Sequence, residues 1–195
     1  MPRRYEMKRR AELVEQTRLR ITEAAVDLHG TIGPAKTTIT AIAARAGVDR
    51  LTVYRHFPTE DTLLNACSWH WRTAHPLPDP AGWATVAAPE ARLRQALNQL
   101  YAWYRENHAM MENVLRDAPD LAPLADRPKR WAEYNRAVVD ALVPGWKARG
   151  RRARLLRAAL AHAVALGTWR SLAGTGLDDD TAVELMLGFV GVSLR

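Results

Sequence analysis

Hydrophobic residues recur along the chain at helical spacing. Val14, Ile21, Ala25 and Leu28 share one face of a first helix, which is expected to end near Gly30. No segment alternates apolar and polar residues in the β-branched composition typical of a strand. The pattern predicts an all-α protein.

Two short helices are predicted next, on either side of Gly47. The first spans 39–46, with Thr38 as its N-cap because the hydroxyl can accept a hydrogen bond from a free backbone N–H. The second spans 50–57 and ends at Pro58. Glycine between them allows a tight, left-handed turn.

A longer helix is predicted to start at Thr59 or Asp61 and to run toward residue 75. Residues 76–82 contain three prolines and cannot continue it. We therefore expect a small N-terminal unit, followed by a larger C-terminal bundle.

The C-terminal part is predicted to be a helical bundle. Pro89 suits the first position of a helix that carries Leu93, Leu97, Leu100 and Tyr104 on one face. Further helices are expected at about 108–117, 128–143, 151–173 and 178–194.

Positive charge is concentrated in two blocks of a chain whose formal net charge is +7. The first 20 residues carry Arg3, Arg4, Lys8, Arg9, Arg10, Arg18 and Arg20. The second block contains Lys147, Arg149, Arg151, Arg152, Arg154 and Arg157. Such blocks bind polyanions, although each also fits a solvated tail or loop.

Several classes of protein are disfavoured. The single cysteine, Cys67, excludes an intramolecular disulfide and a cysteine-rich zinc module. No signal peptide or membrane span is expected, so we predict a cytoplasmic protein without a membrane partner. Sequence motifs for catalysis, cofactors and metals are also missing, and we expect none of these.

The segment 38–57 indicates a DNA-binding unit. Ile42, Val48, Val53 and Phe57 are spaced to face inward. The outer face of the second short helix is left with Arg50, Leu51, Thr52, Tyr54, Arg55 and His56. A helix of this size fits the major groove of B-DNA, and a basic arm lies upstream.

Residues 15–66 resemble the DNA-binding domain of TetR/AcrR-type transcriptional regulators. The resemblance rests on Thr37-Thr38, Ile42-Ala43, Ala46-Gly47-Val48, Leu51-Thr52-Val53-Tyr54, His56-Phe57-Pro58 and Leu63-Leu64. It implies a basic arm over 1–15, a three-helix helix-turn-helix domain over 16–60, and a ligand-binding and dimerisation bundle over 61–195. It further implies a homodimeric repressor that binds a palindromic operator in double-stranded DNA and that a small, largely apolar effector releases from it.

The same resemblance implies which residues contact DNA: Thr38, Thr40, Arg50, Leu51, Thr52, Tyr54 and His56. Two positions depart from the family pattern. Thr40 stands where some members have a base-reading arginine, and Glu60 replaces the usual lysine after the Phe-Pro turn. Because a carboxylate cannot grip phosphate, basic residues within 3–10 are expected to replace that contact.

The C-terminal bundle offers candidates for a ligand pocket, although core packing is the alternative for each. They are Trp103, Met110, Met111, Trp131, Tyr134, Asn135, His162 and Trp169. The apolar helices around 155–172 and 183–190 are the candidates for self-association, with Gly167 and Gly188 permitting close approach.

Two other functions stay open on the sequence alone. One is a ligand-binding or scaffolding helical protein with a weak or vestigial DNA-binding unit, for which Thr40 and Glu60 are the support. The other is a helical enzyme, for which no residue stands out.

Overall fold

A computed structural model describes residues 2–192, with side chains from residue 5 onward. This range contains helices and no strand, which confirms the all-α prediction. The helices are α1 (Pro2–Thr31), α2 (Ile39–Ala46), α3 (Arg50–His56), α4 (Glu60–Ala74), α5 (Pro89–Asp117), α6 (Arg127–Leu142), α7 (Gly150–Ala163), α8 (Leu166–Ala173) and α9 (Asp179–Val192). None of the helices in this range combines the length and apolar character that a membrane crossing requires.

The first helix is longer than its apolar face indicated. α1 begins at Pro2 and includes most of the predicted basic arm, where side chains 5–16 are exposed. Proline is tolerated at the start of a helix, and no further proline or glycine occurs before Gly30. Good helix formers thus extend α1 beyond the part that packs.

The chain divides into two compact units. One comprises residues up to 76 together with 109–127, and the other comprises 77–108 together with residues from 128 onward. This division follows packing, whereas the predicted ranges 1–15, 16–60 and 61–195 describe functions and stay predictions.

In the first unit, α1 packs against α2 and α4, and α2 packs against α3. Ile21, Ile42, Val53, Phe57 and Leu63 are at most 3% exposed and form the centre of its core. The inward positions predicted for Ile42, Val53 and Phe57 are therefore confirmed, and the core fixes α2 and α3 from behind.

The core of the second unit forms around α5. Leu93, Leu97, Leu100 and Tyr104 are fully buried, which confirms the predicted apolar face. The helix expected separately at 108–117 is the continuation of α5, because nothing between Pro89 and Asp117 interrupts the backbone hydrogen bonding.

The predicted helix 151–173 is wrong as a single element, because α7 ends at Ala163 and α8 starts at Leu166. Carbonyl groups at a helix end need other donors. The hydroxyl of Tyr101 donates to the Ala163 carbonyl at 2.8 Å, and that of Tyr104 donates to the Val164 carbonyl at 2.7 Å. Two tyrosines of α5 thus stabilise the break.

Candidate nucleic-acid interface

The start of α2 presents two threonines. The Thr38 hydroxyl accepts a hydrogen bond from the Ala41 N–H at 3.1 Å, which confirms the predicted N-cap. Thr38 and Thr40 are both exposed. Free N–H groups at a helix start favour an anion, so these hydroxyls lie where a phosphate is attracted.

The turn between α2 and α3 is fixed at both ends. Gly47 is left-handed, with φ of 66°, and the following Val48 N–H donates to the Ala43 carbonyl at 3.0 Å. Asp49 Oδ1 accepts from the Thr52 N–H at 2.6 Å and thereby caps α3. The sequence reading did not single out Asp49, although an aspartate directly before a helix is a known N-cap signal.

The two faces of α3 differ sharply in exposure. Val53 is fully buried, while Leu51 is 76% exposed and Tyr54 is 38% exposed. Arg50 is also exposed, in the first turn of the helix. One face of α3 is therefore packed against the core, and the other face is exposed and accessible to a DNA groove.

Thr52 and Arg55 interact along the helix surface. Arg55 Nη2 donates to the Thr52 hydroxyl at 2.8 Å, and Thr52 itself is half-buried. Two residues of the outer face are thus held together before any DNA is present.

Arg18 of α1 fixes the end of α3 and was missed as a positioning residue. Its guanidinium donates to the His56 carbonyl at 2.7 Å and lies 4.1 Å from the centroid of the Phe57 ring. Arginine provides the charged cap that a helix C-terminus favours. Since 38 residues separate Arg18 from His56, no local signal could have paired them.

The imidazole of His56 is partly buried. Burial, and then the charges of Arg55 and Arg18, lower the pKa of His56 below its ordinary value. The ring is therefore neutral at pH 7. It can meet a phosphate as an N–H donor, and it adds no positive charge there.

The N-terminal part of α1 offers exposed cations, and α4 begins with an acid. Lys8, Arg9 and Arg10 are exposed, while the side chains of Arg3 and Arg4 lie outside the described residues. Glu60 occupies the first turn of α4, where a carboxylate is favoured by the helix dipole. Helix stability therefore accounts for Glu60.

Four of the predicted pocket residues meet in the second unit, around Tyr104. The ring centroids of Trp103 and Trp131 are 6.4 Å apart, and those of Trp131 and Tyr134 are 5.5 Å apart. The ring centroids of Trp169 and Tyr104 are 6.1 Å apart. We call these five residues the aromatic cluster.

The other pocket candidates are more dispersed. Asn135 follows Tyr134 on α6, in the same unit as the aromatic cluster. Met110 and Met111 belong to the first unit. His162 is exposed on α7, with its ring 5.4 Å from that of Phe189, so it lies on an outer surface.

The sequence is similar to bacterial transcription factors. The family described as bacterial regulatory proteins, tetR family, matches residues 21–67, which include α2 and α3. An HTH-type transcriptional repressor of Mycobacterium tuberculosis is 32% identical over 179 residues, covering 89% of this chain and 85% of the relative. An HTH-type transcriptional regulator of Mycobacterium bovis matches with the same identity and coverage.

Solved structures have the same fold. A TetR-like transcriptional regulator from Rhodococcus sp. RHA1 is similar with a TM-score of 0.68 at 20% identity, covering 92% of this chain and 97% of that one. NalD, the secondary repressor of the MexAB-OprM multidrug efflux pump in Pseudomonas aeruginosa, has a TM-score of 0.62 at 21% identity, with 92% and 96% covered.

Proposed function

The chain belongs to the TetR family of bacterial transcriptional regulators, and from this premise we propose that it is a homodimeric repressor of a palindromic operator, released by a small, largely apolar ligand. It acts on double-stranded DNA in the cytoplasm. The observation that carries the proposal is the exposure of Arg50, Leu51 and Tyr54 on the short helix α3. The opposite face of this helix is packed into the core of the first unit.

Each exposed group of α3 suits a different part of the groove. Arg50 has the fork of donors that pairs with a guanine edge, and Leu51 suits the methyl group of thymine. Tyr54 lies on the same face and contacts a base or a phosphate. Thr38 and His56 contact phosphates, Thr40 makes fewer base contacts than an arginine would, and Thr52 acts together with Arg55.

The proposed dimer forms through α7 and α9. Leu155, Leu185, Phe189 and Val192 are between 45% and 62% exposed on these two helices. A Cβ added at Gly188 would meet no atom within 4 Å, so this surface can approach a second copy closely. A symmetric pair of α7–α9 surfaces would form a four-helix contact, and its twofold axis requires a palindromic site.

The proposed effector binds in the second unit, where the aromatic cluster provides an apolar surface. Its binding favours the form of the dimer whose α3 spacing no longer matches the operator. Differential affinity of a few kcal/mol is sufficient for this shift. The names of the M. tuberculosis relative and NalD, both repressors, support negative regulation.

The test is selection of bound duplexes from a random DNA pool, followed by anisotropy titration at two salt concentrations. The wild type should enrich a palindrome. Arg50→Ala and Tyr54→Ala should each lower affinity by about 1–3 kcal/mol per half-site. Arg136→Ala is the matched control, because it removes one exposed arginine from α6 in the second unit and should change little.

Two results would contradict the proposal. Equal weak binding by the wild type and both α3 variants would mean that the basic segment of α1 binds DNA without reading sequence. If duplex DNA is not bound at either salt concentration, the alternative of a ligand-binding or scaffolding helical protein gains the support.

A further inference from the structure

Asn135 contributes a polar atom to an apolar face of α6. Its Oδ1 is buried, and it has no hydrogen-bond partner among residues 2–192. Trp131 lies one turn before it, and the fully buried Val138 and Leu142 lie one and two turns after it. Residues at this spacing share one helix face, so the amide stands in the middle of an apolar surface.

A buried carbonyl oxygen without a donor destabilises the folded state. Leucine would fill this position without that cost. Buried groups that stay unsatisfied in a folded protein therefore indicate an interaction absent from the isolated chain, such as one with a ligand or a water molecule.

The two tyrosine hydroxyls of the aromatic cluster are already used. Tyr134 donates to the Pro78 carbonyl at 2.9 Å, and Tyr104 donates to the Val164 carbonyl. Each hydroxyl has a single proton to donate. Neither can satisfy Asn135 without giving up its present acceptor, so the tyrosines of the cluster do not provide the missing donor.

The rings of the aromatic cluster define the shape of a ligand that would bring such a donor. Trp103, Trp131 and Tyr134 form a stacked series, with interplanar angles of 25° at both contacts. Trp131 and Tyr134 are only partly buried, so part of each residue is accessible from solvent. Aromatic faces favour a further flat ring.

An acidic group that contacts the cluster at Trp169 is already paired. Asp179 accepts a hydrogen bond from Trp169 Nε1 at 3.2 Å and forms an ion pair with Arg105. A ligand charged at this end of the cluster would have to disrupt this pair, whereas an uncharged ligand leaves it intact.

We propose that the site at Asn135 binds an uncharged, flat aromatic compound bearing one N–H or O–H donor. The ring packs against Trp131 and Tyr134, and the donor satisfies Asn135 Oδ1. This inference rests on the proposed function for the role of the ligand as effector, and it specifies the chemistry of that ligand.

The test uses two probes that differ by one donor. Isothermal titration of the full chain, without DNA, compares indole with 1-methylindole, which has the same ring but no N–H. Indole should bind the wild type about three- to tenfold more tightly, the contribution of one neutral hydrogen bond. Asn135→Leu should remove the difference, and Asn98→Leu, at an exposed position of α5, should keep it.

Thermal unfolding of the same variants tests the unsatisfied oxygen separately. Asn135→Leu should raise Tm by about 2–4 °C because it removes an unpaired buried polar group. A lower Tm would mean that the amide is already satisfied, and this would overturn the inference.

The ligand chemistry is also contradicted if neither indole binds, or if both bind the wild type equally. Failure to bind an operator would leave these titrations unaffected, because no DNA is present. The two proposals therefore fail in different experiments.

Discussion

The α2–α3 pair and the second unit differ in how far apart in the sequence their hydrogen-bonded residues lie. In the α2–α3 pair, the capping contacts of Thr38 and Asp49 each span three residues. In the second unit, the hydroxyls of Tyr101 and Tyr104 reach carbonyl groups 62 and 60 residues away. Local contacts therefore begin both helices of the first surface, whereas long-range contacts stabilise the break in the second unit.

This difference has a functional consequence. Local caps satisfy the starts of α2 and α3, and Arg18 reaches the end of α3 from 38 residues away. The side chains proposed to contact DNA lie on the outward face of α3. In the second unit, the tyrosine hydroxyls are used to stabilise the fold. The oxygen of Asn135 differs from these hydroxyls because it has no hydrogen-bond partner among residues 2–192, and it is the ligand contact that we propose.

The largest expected effect comes from removing the residue that holds α3 from behind. Phe57 is 1% exposed and lies beneath the Arg18 guanidinium. Phe57→Ala should lower the free energy of unfolding of the first unit by about 3–5 kcal/mol, through lost burial and a cavity. Urea denaturation measures the change.

Leu51→Ala is the matched variant on the opposite face of α3. Because Leu51 is 76% exposed, its loss should leave stability within about 0.5 kcal/mol of the wild type. It should nevertheless weaken operator binding. A large stability loss in Leu51→Ala would contradict the separation of the two faces.

The next effect is a pH dependence of stability that comes from His29. This residue of the first unit interacts with Asp117, which is far from it in the sequence. Burial lowers the pKa of His29 from 6.5 to about 4, and Asp117 opposes this shift. Between these values the unfolded chain binds a proton that the folded chain does not. As far as His29 is concerned, the free energy of unfolding is therefore highest above about pH 6.5. It should fall by about 3 kcal/mol as the pH drops to about 4.

Comparison with variants isolates the contribution of His29. His29→Gln should show a correspondingly smaller loss of stability between pH 6.5 and 4, measured by urea denaturation at each pH. His162→Gln is the control, because it removes an exposed histidine of the second unit and leaves the buried His29 in place. Equal profiles for all three proteins would exclude a neutral, buried His29.

The smallest effect concerns the break between α7 and α8. Tyr104→Phe removes only the hydroxyl that donates to the Val164 carbonyl, so it should destabilise the second unit by about 1–2 kcal/mol. Tyr54→Phe removes a hydroxyl from an exposed ring and should have almost no effect on stability. Hydrogen exchange at the start of α8 would report the difference, and equal protection in both variants would contradict the proposed role of the hydroxyl.

The α2–α3 part of the first unit could be predicted from the sequence because the patterns that specify it extend over only three or four residues. The cap of α2, the left-handed Gly47 and the inward positions of Val53 and Phe57 all follow from local spacing and are confirmed. The functional roles given to Thr38, Arg50 and Tyr54 came from the family resemblance. The structure places these side chains, and DNA binding will test their roles.

The helix ends and the buried polar residues of the second unit were harder to predict from the sequence, for a physical reason. Hydrophobic periodicity runs continuously through 151–173, yet tyrosines of α5 satisfy carbonyl groups at a break within it. The same periodicity could not distinguish a buried polar residue from one on an outer surface. His162 and Asn135 both interrupt apolar stretches, but His162 is exposed, whereas Asn135 buries its oxygen.

The sequence by itself determined the all-α class, the α2–α3 pair and its outward-facing side chains, because helix caps and helical periodicity operate over three or four residues. Tertiary structure alone decided that Arg18 closes α3, where α7 ends, and which polar groups of the second unit remain unsatisfied. Those outcomes depend on contacts between residues far apart in the chain, and only folding brings these residues together.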